Sequence, residues 1–184
     1  MIYPIYLYGQ PVLRKETEAI PADYPELKQL AEDMFETMYA ADGVGLAAPQ
    51  IGKSIRLFVI DASPYDDEDP SLAGLKKAFI NADIYERSDE TVSMEEGCLS
   101  FPKLHEMVQR PETIRIRYFD ENFVEHDEEY AGMAARIIQH EYDHVEGKVF
   151  TDRVSPLRRT LIKSKLNAFE KGKYSASYRC KPVK

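Results

Sequence analysis

The chain has 184 residues, two cysteines, and 32 Asp and Glu against 24 Lys and Arg, for a net charge of −8. That length suits one domain with a sizeable core. Two cysteines exclude a disulfide framework, and no apolar run is long enough to span a bilayer. Met1-Ile2-Tyr3-Pro4 opens no secretory apolar stretch, so the expected location is a reducing cytoplasm. Charge is uneven: residues 153 to 184 hold ten Lys and Arg against the single acid Glu170, giving +9 there and −17 elsewhere. The reading is one domain over residues 1–172 and a basic tail over residues 173–184.

Tyr24 to Ala41 is predicted as a helix, with Leu27, Leu30, Ala31, Met34 and Met38 on one face. Gly43 follows as its C-terminal cap. Ile55 to Asp61 and Ala78 to Arg87 read as strands, separated by an acidic, proline-containing surface loop or insertion, Ala62 to Lys77. Thr113 to Phe119 alternates Ile114, Ile116 and Tyr118 with Arg115 and Arg117, a half-buried strand. Asp120-Glu121-Asn122 turns the chain into Phe123 to Tyr130, where His126 reads as a surface residue. Gly132 leads into a helix ending near Gly147. Ser155-Pro156 is an N-cap followed by proline at the first helical position, opening a helix to about Gly172. The expected fold is α+β: mostly antiparallel sheets surrounding a central metal-binding helix, plus an N-terminal helix and a long C-terminal helix.

His140-Glu141-Tyr142-Asp143-His144 carries the chemistry. Residues at i and i+4 share a helix face, so His140 and His144 can hold one metal ion. Glu141 lies about 100° around the helix, near enough to handle protons without being a ligand. Met133, Ile137 and His140 continue an apolar stripe, so the pair faces inward and needs partners. A catalytic site takes three protein ligands. Downstream candidates are Glu146, Asp152 and Glu170, and none sits in a motif. Upstream, Cys98 in Glu96-Gly97-Cys98-Leu99-Ser100 offers a soft thiolate.

With these two motifs stands a third, Gly43-Val44-Gly45-Leu46-Ala47-Ala48-Pro49-Gln50. In this order and spacing the three resemble the peptide deformylase family over nearly the whole chain. The resemblance implies a hydrolase that removes the N-formyl group from the initiator methionine of newly made polypeptides and releases formate. It implies Fe²⁺, replaceable by Ni²⁺, Co²⁺ or Zn²⁺, on Cys98, His140 and His144. Glu141 would be general base and acid, and Gln50 with the Leu99 N–H would stabilise the oxyanion. Such a metal lowers the pKa of water toward about 7, and a ferrous thiolate site should be sensitive to oxygen. Substrate would pair as a strand with Val44-Gly45 and with the Gly97 segment. Met133, Arg136 (by its alkyl stem), Ile137 and Val44 are expected to line the methionine pocket, although Met133 and Ile137 suit the core equally well. His105 stands where many bacterial members carry a substrate-contacting arginine, and Arg110 is expected to pair with Asp143 behind the site.

Two alternatives stay open. One is an HExxH metallopeptidase cleaving internal bonds. The other is a non-catalytic, ribosome-associated metal-binding protein. The basic C-terminal segment could dock on ribosomal RNA, although a solvated helix face with a loose tail, or a helix lying against the acidic body, is the plainer account of it.

Overall fold

Leu57-Phe58-Val59-Ile60-Asp61 is buried at every residue, which means that both of its faces are covered. The computed structural model describes all 184 residues. In chain order the elements are β1 (Ile5–Tyr6), α1 (Leu27–Ala40), β2 (Gly45–Ala47), β3 (Leu57–Asp61), β4 (Lys76–Arg87), β5 (Thr91–Cys98), β6 (Phe101–Pro111), β7 (Thr113–Phe119), β8 (Glu125–Ala131), α2 (Gly132–Val145), α3 (Pro156–Glu170) and β9 (Cys180–Lys181). Five strands form an antiparallel sheet in the order β2-β3-β4-β7-β8. β5 and β6 form a separate hairpin, and β1 pairs in parallel with β9.

Alternation along the strands splits the core in two. Phe58, Ile60, Phe79, Ile114 and Ile116 pack against Ala135, Ile138 and Val145 of α2. Leu57, Val59, Ala78 and Ile80 point the other way, toward Leu30, Met34 and Met38 of α1. A third cluster joins Phe101, Leu104 and Val108 of β6 to Ile162 and Phe169 of α3. The α2 helix thus lies between the five-stranded sheet and the hairpin, as the α+β reading expects.

The expected elements recur with shifted ends. The first helix begins at Leu27 rather than Tyr24. Pro25 disfavours helical geometry at Tyr24, and Glu26 sits in the left-handed region at φ 55°. Gly43 is not the left-handed cap. Asp42 takes that conformation at φ 56°, and the Gly43 N–H closes the turn by donating to the Met38 carbonyl. Asp tolerates this conformation with a short polar side chain, which leaves Gly43 for another purpose. The loop after β3 holds two short 3-10 turns and buries Leu72. Ser155 accepts from the Arg158 N–H and caps α3 as expected. His126 is half-buried, stacked on Tyr118 and bonded to Asp120. Residues 173–184 are not loose: Gln10 Nε2 donates to the Pro182 carbonyl at 2.6 Å, and β9 joins β1.

Part of the basic segment is engaged by the body. Arg158 grips the buried Glu106 carboxylate in a fork, 2.8 and 2.7 Å, and ties α3 to β6. This guanidinium holds Glu106 below its ordinary pKa, against the opposing effect of burial. A lowered folded-state value means that the stabilisation is present above the unfolded pKa, about 4.3, and is lost as pH falls through the folded one. Arg158 is half-exposed, so Glu106→Gln should cost only about 1 kcal/mol at pH 7. Urea unfolding of both proteins should show that gap shrink steadily below about pH 4.3.

Candidate metal centre and active site

The α2 helix starts where Gly132, at φ 58°, turns the chain out of β8. Its inner face carries His140, Glu141 and His144, all buried. The other contributor is the end of β5, where a register shift between Gly97 and Cys98 precedes the turn into β6. This brings Cys98 Sγ to 3.3 Å from His144 Nε2. One ligand atom from each of Cys98, His140 and His144 lies within 4.8 Å of the others. The spacing and the soft thiolate–imidazole donor set fit one divalent transition-metal ion. None of the downstream acids joins these three: Glu146 pairs with Arg56, Asp152 pairs with Arg14 at 2.6 Å, and Glu170 is exposed at the end of α3.

The residue that sequence reasoning missed is Glu96. Its carboxylate faces His140 Nδ1 at 2.8 Å, which leaves Nε2 free for a metal. Arg110 donates to it twice, at 2.6 and 2.9 Å, and Arg136 once at 2.7 Å. Arg110 also donates to Asp143 at 2.8 Å, as expected, and Arg153 clamps Asp143 with two bonds of 2.6 Å. Arg136 anchors its head on Glu96 and on the carbonyls of Val108 and Val92, which leaves only its stem for the cavity. Glu96 lies in the Cys98 motif, and the signal that could have found it is the need of an inward-facing ligand histidine for a carboxylate behind it.

Burial acts on His140, Glu141 and His144 alike. It pushes Glu141 up to about 7, against the His140 charge. It pushes His144 down to about 3, helped by His140, so this imidazole is neutral and ready to ligate. Burial opposes charge on His140 as well, but Cys98 and Glu96 outweigh it and raise its pKa. Glu141 Oε2 and His144 Nδ1 are the two buried polar side-chain atoms without a protein partner.

A cavity of about 380 Å³ opens onto these groups. Val44, Gly45, Gln50, Gly97, Cys98, Leu99, Met133, Arg136, Ile137, His140 and Glu141 line it, so every expected site residue except His144 borders the space. His144 lies just behind, fully buried. Ile137 serves the core and the cavity together. Gln50 is oriented by the Ala47 N–H, which donates to Oε1 at 2.9 Å. Its Nε2 then points at Ser100 Oγ, 3.1 Å, and toward Cys98 Sγ, 3.5 Å. His105 pairs across the hairpin with Gly97, and its ring fills the space that a Gly97 side chain would need. Gly45 has the same role toward Glu141: a Cβ there would lie 2.8 Å from the carboxyl carbon.

A buried carboxylate beside one thiolate and two imidazoles that could hold a single metal ion, on a cavity between two sheet edges, fits a mononuclear metal-dependent hydrolase. Residues 2–160 match the family model described as polypeptide deformylase. The chain belongs to that family. Peptide deformylase of Christiangramia forsetii is 50% identical over 97% of this chain and 95% of its own length. That of Flavobacterium johnsoniae is 51% identical over 98% and 96%. The crystal structure of peptide deformylase from Thermus thermophilus superposes with a TM-score of 0.82 at 42% identity, covering 94% of this chain and 99% of that one.

Two substitutions separate the supports of the site. Gly45→Ala should displace the Glu141 carboxyl and lower turnover by about 100-fold while bound metal, measured by atomic absorption, stays stoichiometric. Glu96→Ala should strand two buried arginines and His140. It should cost about 3–5 kcal/mol of stability in denaturant titration and weaken metal affinity by about 10- to 100-fold.

Proposed function

We propose that this chain is a peptide deformylase that removes the formyl group from the initiator methionine of newly synthesised polypeptides and releases formate. The observation that carries the reading is the meeting of Cys98, His140 and His144 on one cavity with Glu141. A divalent ion on those three residues, Fe²⁺ as the family resemblance implies and replaceable by Ni²⁺, Co²⁺ or Zn²⁺, would activate water and polarise the formyl carbonyl.

The chain's own residues supply the rest. The Glu141 carboxylate takes a proton from the attacking water and hands it to the departing amine nitrogen. Burial suits it to both tasks, because its pKa is pushed up to about 7. The Gln50 Nε2 and the Leu99 N–H meet the charge that grows on the formyl oxygen. Leu99 lies in the turn between β5 and β6, and its N–H donates to no group of the protein, which supports that role. β2 is an edge strand of the main sheet, and β5 borders the same cavity from the hairpin. An extended peptide fits between the edges at Val44-Gly45 and Gly97, paired by its main chain and therefore tolerant of side-chain variety. Val44, Met133, Ile137 and the Arg136 stem give the methionine an apolar wall.

No helix is long and apolar enough to cross a membrane; action in the cytoplasm follows from the proposed substrate, nascent chains. A ribosomal contact through residues 153–184 is a secondary reading. Arg153 and Arg158 are engaged by Asp143 and Glu106, and the other bases leave the segment positive toward phosphate.

The test is formate release from a formyl-methionyl tripeptide by protein prepared without oxygen and loaded with Fe²⁺ or Ni²⁺. Glu141→Ala should retain the metal and lose turnover. Cys98→Ala should lose the metal itself. Stoichiometric metal with no formate from the unaltered protein would overturn the reading.

A further inference from the structure

Residues beyond 160, where the family match ends, reach back into the site. After α3 the chain crosses the mouth of the hairpin, with Lys103 Nζ donating to Ser175 Oγ at 2.9 Å. It is then fastened by the β1–β9 pairing and by Gln10 on the Pro182 carbonyl. Val183 packs where a Cβ on Gly9 would stand, so the end of the strap is seated in a fitted groove. Between these two attachments lies Tyr178. It is half-buried, borders the cavity, and donates its hydroxyl to the Leu99 carbonyl at 2.7 Å.

Leu99 has few other restraints. It sits outside β5 and β6, in the two-residue turn that joins them. Its side chain packs where Gly43 leaves room: a Cβ on Gly43 would come within 2.8 Å of Leu99 Cδ1. This is the purpose for which Gly43 is free once Asp42 caps α1. The residue is thus held by its side chain from α1's end and by its carbonyl from the strap, and its N–H alone is uncommitted.

We infer that Tyr178 is a positioning residue: by anchoring the Leu99 carbonyl, one peptide plane beyond the Leu99 N–H, it restricts the backbone rotation at Leu99 that aims this N–H, so the C-terminal strap helps to complete the oxyanion site. The kinetic part of this inference rests on the deformylase reading. A hydroxyl bonded to a carbonyl adds no charge and moves no proton. Its effect is on the orientation of one donor, and a donor turned away from the developing charge acts on the rate more than on the binding of the peptide.

The experiment uses the full-length chain, loaded with Ni²⁺ for kinetics and with Zn²⁺ for ¹⁵N relaxation. Tyr178→Phe keeps the ring and removes only the hydroxyl, and Tyr178→Leu removes the ring as well. Tyr178→Phe should lower kcat about tenfold with KM within about twofold, and should drop the Leu99 amide order parameter from about 0.85 toward 0.6. Tyr178→Leu, which also opens the cavity wall, should raise KM as well. A role confined to holding the tail would lower Tm and leave kcat of the folded protein and the Leu99 amide unchanged, and that result would overturn the inference. Should the unaltered protein not release formate, the deformylase reading fails alone. The relaxation of the Leu99 amide in Tyr178→Phe then decides whether the strap's hold on the Leu99 carbonyl restrains the N–H on the other side of that residue: a mobile amide supports it, and an unchanged one overturns it.

Discussion

One carboxylate, that of Glu96, ties together the three parts from which the site is made. It belongs to β5, receives Arg110 from β6, and receives Arg136 and His140 from α2. The hairpin shares no strand pairing with the main sheet, so this buried cluster is the chief fixed link between the segment bearing the thiolate and the helix bearing the imidazoles. Its value lies less in net stability than in geometry. Buried ion pairs roughly offset their own desolvation, whereas removing one member leaves an uncompensated charge. The cluster thus holds β5 and α2 at one spacing in this structure, and with them Cys98, His140 and His144.

Burial does two separate jobs within one helix. Taken out of water, an imidazole loses its charge more readily and a carboxylate gains a proton more readily. His144 and Glu141 move in opposite directions from this single cause. The result is a neutral donor and a carboxyl able to exchange a proton near neutrality, three residues apart. Gly45 permits it, since the strand backbone lies so close to Glu141 that it excludes water without a side chain in the way.

Where local periodicity and core-facing pattern agree, the sequence can be read directly. β7 spans Thr113–Phe119 as its alternation predicts, α2 follows its apolar stripe, and the Ser155 cap marks the start of α3. The hairpin is different. Glu96, Glu106 and Arg110 point inward from β5 and β6, which breaks the apolar–polar alternation by which strands are recognised. Of the charges that hide these strands, Glu96 and Arg110 stand behind His140 at the site, and Glu106 meets Arg158 of α3. Cys98, His140, His144 and Glu141, which the fold brings together at one cavity, were legible as motifs. The carboxylate behind His140 was not, because its partners lie 14 and 44 residues away in the chain. The parallel pairing of β1 with β9 was beyond local reading altogether, being two residues long at each side.

That last pairing orders events in time. It closes a loop of 175 residues between Tyr6 and Lys181. Loop-closure entropy grows only logarithmically with length, so the pairing is tolerable once the rest has folded but cannot nucleate it. A growing chain can assemble both faces of the sheet, and the metal ligands with them, before its last residues have been joined. Those residues then zip the ends shut as a late, reversible step, and with so few bonds they are also the first to open. The candidate metal residues, 98 to 144, are thus translated well before Tyr178, which supplies the outer wall of the same cavity.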